Sequence, residues 1–451
     1  MMLLIYDLLF IFIFWFFVPM MIFKLIKRPG YKRTFLERFA IYGKRGVQLK
    51  DFKRCIWIHA VSVGEGVLAC NMVEKWLEQN NELKIVISTT TSTGQQLVRN
   101  KVQKYDNVHV IYCPLDLSFF VKKTLKILDP RMLVIFETEL WPNLITISAR
   151  QGVKVCLVNA RMSDKSCSGY YRYRYFFNKL LMKFSFIGTQ SYQDEQRFRR
   201  ISADLKIFTT GNMKFDQEVP IDFNDLNLDK YFGEGFKGQI ILAASTHPRE
   251  EELIFKHFLR LKQLKRQFST KGFDPKGSDA VKLIIMPRHA ERGHDVENMI
   301  KDYLARLPDD RKLNYERRST NHRNCLNSEI LDVVLADTTG EMLQFIDKSD
   351  IVIMGKSLAG HDEGHNLIEP ALFKKAIICG KKLTNFRFIL QTLKNANALI
   401  LIEKNEQLMT AMQKLLDNKT ERLNKGEKAF NAVQEHCGAT AKNIKHLEDL
   451  L

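Results

Sequence analysis

The sequence has no C-x-x-C pair among its eight cysteines, no Walker A loop, no G-x-G-x-x-G fingerprint, and no internal repeat or low-complexity tract. Without either glycine-rich loop, ATP phosphoryl transfer and dinucleotide redox chemistry lose their usual sequence support. The cysteines (Cys55, Cys70, Cys113, Cys156, Cys167, Cys325, Cys379 and Cys437) are scattered, several inside apolar runs such as KVCLVNA and AIICG. That placement argues against a disulfide framework or a zinc module and predicts a reducing compartment, the cytoplasm. Acidic residues are in deficit: 51 Asp and Glu against 69 Lys and Arg give a formal net charge of +18. Such an excess suits an anionic partner, whether nucleic acid, a phospholipid surface or a phosphorylated ligand, and composition does not choose among them.

The apolar start also lacks what a signal peptide needs. Met1–Phe23 carries a single charge, Asp7, with no basic residue before the apolar run and no small-residue cleavage site after it. Lys24, Lys27, Arg28, Lys32 and Arg33 follow. The length fits a bilayer-spanning helix of roughly 20 residues. The basic flank predicts a membrane anchor with the remaining chain on the cytoplasmic side. Asp7 and Pro19 leave open a helix that lies in the membrane interface instead of crossing it.

With 451 residues, 45% of them hydrophobic, the chain can bury two α/β cores. RCIWIHAVSV, KIVISTTT, VHVIYCPL, MLVIFETEL and VKVCLVNA read as strands alternating with helices. They are near-continuously apolar, as in a parallel sheet covered on both faces. Ser92 or Thr93 is the expected cap of the helix STGQQLVRNKV. Tyr170–Phe184 reads as an amphipathic helix. The pattern breaks over 219–237, and a second series follows: QIILAAST, KLIIMPRH, DVVLADTT, DIVIMG and AIICG. The expected organisation is therefore an anchor at 1–23, a Rossmann-like domain at 24–218, a linker at 219–237 and a second Rossmann-like domain at 238–451. The two domains are expected to face a cleft. Lys262–Lys282 and Leu304–Ser328 read as surface insertions.

Several residues at strand-to-helix turns can carry chemistry. Glu65 in HAVSVGEG can act as a general base, but Ser62-x-x-Glu65 equally fits a helix-capping box. Glu137 and Glu139 of FETELWPN can divide acid and base roles, or merely begin a solvated loop. Lys214 in GNMKFD can neutralise an anion or sit in solvent. Pro287-Arg288 ends one strand and Thr339-Gly340-Glu341 follows another, where backbone N–H groups and a guanidinium suit phosphate. Asn366 and Glu369 have cap-like spacing, yet the glutamate also suits a ribose. His361, Asp362, Glu363 and His365 invite a metal, but on a glycine-containing loop without an obvious third ligand no metal site or other cofactor is expected. The aromatic and basic stretch YYRYRYFFNKLLMK can stack single-stranded nucleic acid; beside a membrane anchor a lipid-facing surface is the better account, and no nucleic acid is expected.

These segments, in this order, resemble the Kdo (3-deoxy-D-manno-octulosonic acid) transferase family. The likeness runs through HAVSVGE, STTTSTG, Pro114-Leu115-Asp116, FETELWPNL, NARMSDKS, GNMKFD, AASTHPREEE, MPRHAER, DTTGEM and GHNLIEPALF. It implies a GT-B architecture and an inverting transfer of Kdo from CMP-Kdo to a lipid A precursor (lipid IVA) at the inner membrane. The resemblance places Glu65 as the proton acceptor, and Glu137 and Lys214 as transition-state stabilisers. It places Pro287, Arg288, Thr339, Gly340, Glu341, Asn366, Leu367, Ile368 and Glu369 at CMP, and implies the bilayer phospholipid as a further partner. One loop departs from the pattern: Lys356 and Glu363 stand where the family has glycines, and Leu367 where it has proline. Other readings are a GT-B enzyme using another nucleotide sugar, or a non-catalytic membrane-tethered protein binding anions or RNA.

Overall fold

In the computed structural model, residues 2–27, 35–219, 226–268, 276–277, 280–320 and 330–451 are described. Two compact units divide the chain, one of Met1–Asp216 with His436–Leu451 and the other of Gln217–Glu435. Each is built on a parallel seven-stranded sheet.

The first sheet contains β1 (Ile56–His59), β2 (Ile85–Thr89), β3 (Val108–Tyr112), β4 (Met132–Phe136), β5 (Lys154–Ala160), β6 (Phe184–Thr189) and β7 (Ile207–Thr209). Their spatial order is β3-β2-β1-β4-β5-β6-β7. Successive residues point to opposite faces, and both faces are buried. Trp57, Val86, Leu133 and Val155 lie in one apolar cluster. Their strand neighbours Ile56, Ile58, Ile85, Met132 and Val134 lie in another. This double burial is why the strands read as unbroken apolar runs.

The second sheet contains β8 (Gln239–Thr246), β9 (Val281–Pro287), β10 (Tyr315–Arg317), β11 (Val333–Leu335), β12 (Ile351–Met354), β13 (Ala376–Gly380) and β14 (Leu399–Ile402). Its order is β10-β11-β9-β8-β12-β13-β14. Strand order therefore reverses between β1 and β4 in one sheet and between β8 and β12 in the other. Those are the crevices where open parallel sheets bind ligands, beyond the carboxyl ends of the strands.

The amino-terminal helix α1 (Met2–Lys27) packs Leu3 against the first unit's core. Its single acid is not left bare. The Asp7 carboxylate accepts the Ser118 N–H at 3.2 Å, the Ser118 hydroxyl, and the Asn143 Nδ2 at 2.7 Å. Leu4, Leu8, Phe12, Trp15 and Phe16 are exposed. Among the described residues no helix is long and apolar enough to cross a membrane. Side chains from Phe17 to Lys27, and Arg28, Lys32 and Arg33 of the basic flank, lie outside the described residues.

The last helix (Ala439–Glu448) belongs to the first unit, although reading along the chain assigned it to the second domain. Ala439, Ile444 and Leu447 enter the first unit's core. Trp76 Nε1 donates to Glu448 Oε1 at 3.1 Å, and the Asp216 carboxylate accepts the Gly438 and Thr440 N–H groups.

Other local expectations need correction. Thr91, not Ser92 or Thr93, caps its helix, with Oγ1 accepting the Gly94 N–H at 3.1 Å. Tyr170–Phe184 contains the end of one helix (Asp164–Arg172) and a second (Arg174–Leu181), interrupted at Tyr173. Lys262 and Lys282 are not on an insertion's surface. They are buried in a helix and in β9, where Lys262 Nζ meets Asp332 Oδ1 at 2.7 Å and Lys282 Nζ meets it at 3.3 Å. Tyr315–Arg317, expected within another insertion, is the edge strand β10. Parts of the expected linker (220–225) and insertions (269–275, 278–279, 321–328) lie outside the described residues, as does Cys325.

Candidate functional site

At the first sheet's reversal point, β1 leads through Ala60–Ser62 into the helix α2 (Val63–Gln79). Ser62 Oγ accepts the Glu65 N–H at 3.2 Å and donates to Glu65 Oε1 at 2.7 Å. The Val61 N–H reaches Glu65 Oε2 at 2.8 Å. The capping geometry is thus real, and it also fixes the carboxylate in place. Burial raises the Glu65 carboxyl above its ordinary value; the Ser62 and Val61 hydrogen bonds oppose this, and the neighbouring Glu137 and Glu139 charges add to it. A carboxyl shifted upward and held among other acids has the character of a general base.

Glu137 immediately follows β4 in a left-handed conformation, φ +56°. For a non-glycine residue this is a strained setting that needs support from its surroundings. Arg161 Nε donates to Glu137 Oε2 at 2.9 Å, and Lys214 Nζ stands 4.0 Å from Glu137 Oε1. Burial depresses the Lys214 ammonium's pKa; the attraction of Glu137 and Glu65 opposes that, while Arg161 adds to it. The structure therefore brings together Glu65, Glu137 and Lys214, from three separate stretches of the chain. Glu139 is turned to another task, accepting Trp141 Nε1 at 2.8 Å. The strand does not continue past Glu137, so the two acids do not form a same-face pair. Arg161 was not singled out from the sequence; its position just after β5, the strand beside β4, was the available signal.

In the second unit, the Arg288 N–H donates to Thr246 O at 3.0 Å, tying the end of β9 to the end of β8. Among the described residues its exposed guanidinium makes no hydrogen bond or ion pair. Asn366 Nδ2 donates to Glu369 Oε1 at 3.1 Å and to Gln217 Oε1 at 2.9 Å, while its Oδ1 accepts the Ile368 N–H at 3.1 Å. Burial raises the Glu369 carboxyl, against the pull of Asn366 and of the Arg288 charge. Arg288, Asn366 and Glu369 therefore share one electrostatic neighbourhood. Pro287, Leu367 and Ile368 are buried. Any polar contact from those three must come from the backbone.

Thr339 and Gly340 are exposed after β11, and Gly340 has φ +88°. Glu341 is engaged elsewhere: Arg318 grips its carboxylate through Nε at 2.7 Å and through Nη2, and the Thr338 hydroxyl adds a third bond. Arg318 consequently holds the Glu341 carboxyl below its ordinary range. The two unusual loop residues answer one another, Lys356 Nζ lying 2.8 Å from Glu363 Oε2. His361 is engaged with the Pro248 carbonyl at 3.0 Å. Among the described residues no group of three or more histidine, cysteine or acidic side chains could hold a metal ion.

Residues 33–217 match the family described as 3-deoxy-D-manno-octulosonic-acid transferase (kdotransferase). A 3-deoxy-D-manno-octulosonic acid transferase of Haemophilus influenzae is 30% identical over 432 residues, covering 94% of this chain and 92% of the relative. The chain belongs to the Kdo transferase family. It is a glycosyltransferase. The Kdo transferase of Rickettsia bellii is likewise 30% identical, over 93% of both chains. Among solved structures, a UDP-N-acetylglucosamine 2-epimerase aligns with a TM-score of 0.56 and 15% identity, covering 88% of this chain and 95% of its own. A glycosyltransferase from Rickettsia africae aligns at 0.54 with 13% identity, over 88% and 98%. These two show the fold alone, a GT-B pair of Rossmann-like domains, in agreement with the two parallel sheets.

Proposed function

We propose that this Kdo transferase family member moves Kdo from CMP-Kdo to a hydroxyl of a lipid A precursor, by a single displacement with inversion at the anomeric carbon. Glu65 takes the hydroxyl proton as that oxygen attacks. The bond from the anomeric carbon to the CMP phosphate breaks, and CMP leaves with the electron pair. Lys214, Arg161 and the strained Glu137 hold the field around the reacting centre, so charge develops among groups already oriented. In the second unit Arg288 stabilises the departing phosphate, Glu369 with Asn366 takes the ribose hydroxyls, and the backbone around Thr339 and Gly340 lines the nucleotide. Arg318 keeps Glu341 ionised, so Glu341 orders its loop more than it meets ligand.

Anchoring to the inner membrane, with both units on the cytoplasmic side, is part of the same proposal. The exposed row Leu4, Leu8, Phe12, Trp15 and Phe16 supports lipid contact. Docking of Asp7 on Ser118 and Asn143 supports a helix whose first turns lie against the protein and in the interface.

The observation that carries the catalytic reading is Glu65, buried and fixed beside the Glu137–Lys214 pair at the sheet's reversal point. Glu65→Ala is expected to abolish transfer while CMP binding persists, because the nucleotide residues belong to the other unit. Near-normal turnover by a folded Glu65→Ala enzyme would leave helix capping as that residue's whole role.

A further inference from the structure

The second sheet's reversal point gathers side chains that neither the base nor the nucleotide residues require. His247 follows β8, and the segment after β12 carries Lys356, His361 and His365. His247 Nε2 and His365 Nε2 are 3.0 Å apart. The rings of His361 and His289 lie 5.6 Å and 6.0 Å from that of His247. Four imidazoles thus converge from the ends of three adjacent strands, β9, β8 and β12.

The setting is rigid and electropositive. The buried Glu250 carboxylate accepts the N–H groups of His247 at 2.9 Å, Lys356 at 2.8 Å, Ser357 at 2.9 Å and Leu358 at 2.8 Å. That fourfold acceptance clamps both strand ends before any ligand arrives. Arg288, Lys356 and Arg292 supply positive charge. Lys356 is answered by Glu363, and Arg292 by Glu251 at 2.6 Å. Burial, then Lys356, with His361, His289 and Arg292 after it, hold His247 down to about 4. Burial, then Arg288, His247 and Lys356, hold His365 down to about 3, against Glu363. Both rings are therefore neutral near pH 7, and one donates its Nε2–H to the other.

With one N–H spent between the rings, the pair keeps a single free donor, the Nδ1–H of the accepting ring, and that donor in a cationic recess suits an anionic oxygen, whether carboxylate or phosphate. Arg288 stands beside the pair and already has a phosphate to meet. In an ulosonic acid the carboxylate is attached to the anomeric carbon, the same carbon that carries the leaving phosphate. We propose that His247 and His365 form the sub-site for the carboxylate of the donor sugar acid, and that this pair selects an acidic sugar over a neutral one. The inference rests on the CMP-Kdo donor reading above.

The test uses the full chain, with KM for CMP-Kdo and the inhibition constant of CMP measured on His247→Ala, His365→Ala and the two Gln variants. Loss of the hydrogen bond to the carboxylate, or of the ring that orients its donor, is expected to raise KM for CMP-Kdo on the order of 10- to 100-fold, with CMP inhibition within about twofold of wild type. The Gln variants, which keep an amide donor, recover part of the loss. Equal weakening of CMP and CMP-Kdo would assign the pair to the phosphate; an unchanged KM would remove it from the donor site. Either outcome overturns the proposal. If the Ala variants do not melt cooperatively, imidazole resonances of the wild-type chain decide. CMP-Kdo must shift them beyond the effect of CMP, and identical shifts contradict the sub-site. A wild-type enzyme that neither bound CMP nor used CMP-Kdo would instead refute the donor reading itself.

Discussion

Replacing Glu65 with Gln separates the two roles that its carboxylate combines. The amide keeps an acceptor for the Val61 N–H or the Ser62 hydroxyl, so the helix start survives. It cannot take a proton. Glu65→Gln is expected to lose turnover on the order of 10²–10⁴-fold, with the melting temperature little changed. Parallel assays and melts check this; a comparable loss of stability and of rate would make the residue structural. The spacing Ser62-x-x-Glu65 made the cap legible in the sequence, whereas the upward shift of its carboxyl was not. That shift arises from burial and from Glu137 and Glu139, which are distant along the chain. Glu137 illustrates the same limit. Its place at a strand end was readable, but the left-handed backbone and the Arg161 contact depend on how β4 and β5 sit side by side.

Helix α1 meets the first unit at the starts of two helices, Ser118–Leu128 and Pro142–Arg150. Asp7 caps the first start, and the buried Asp116 caps the second through the Asn143 and Leu144 N–H groups at 3.1 Å and 2.7 Å. Burial, the main cause, lifts the Asp116 carboxyl from 3.8 to about 6, opposed by those N–H groups and Tyr6 and aided by Asp7. A raised pKa means the folded state holds the proton more tightly than the unfolded chain does. The associated stability is complete below about pH 4 and is lost as pH rises through about 6. Denaturant melts across that range should show this slope in the wild type and its loss in Asp116→Asn; an identical slope in both contradicts the assignment.

A second element-level prediction concerns Asp332, whose carboxyl would be raised by burial but is brought below its ordinary value by Lys262 and Lys282. Asp332→Ala leaves two buried ammonium groups without that carboxylate and should cost about 3–5 kcal/mol in a denaturant titration. A cost near zero would mean the lysines are satisfied without it. The apolar core of the sheets was legible from unbroken runs such as KIVIST. The ion triad was not, because periodicity carries no sign of a lysine held inside by an acid 50 to 70 positions away.

At the scale of the molecule, two strand–helix series announced two Rossmann-like units. The return of the last helix to the first unit was invisible, since it is fixed by long-range bonds such as Trp76 to Glu448 and Asp216 to Gly438. The account also assigns the leaving phosphate to Arg288, and one phosphate develops less charge than a diphosphate. Turnover should therefore survive excess EDTA; activity lost in EDTA and restored specifically by one divalent ion contradicts that. Deletion of Met1–Phe23 should release much of the protein from membranes yet preserve turnover on detergent-dispersed acceptor. A folded but inactive truncation would make the helix part of the acceptor site. The most direct test of the central claim is mass spectrometry of the product formed by purified enzyme from CMP-Kdo and a tetra-acylated lipid A precursor. The account predicts an acceptor heavier by Kdo, formed with release of CMP and absent with Glu65→Ala. An unmodified acceptor with active wild-type protein, or transfer from a UDP-sugar instead, would contradict it.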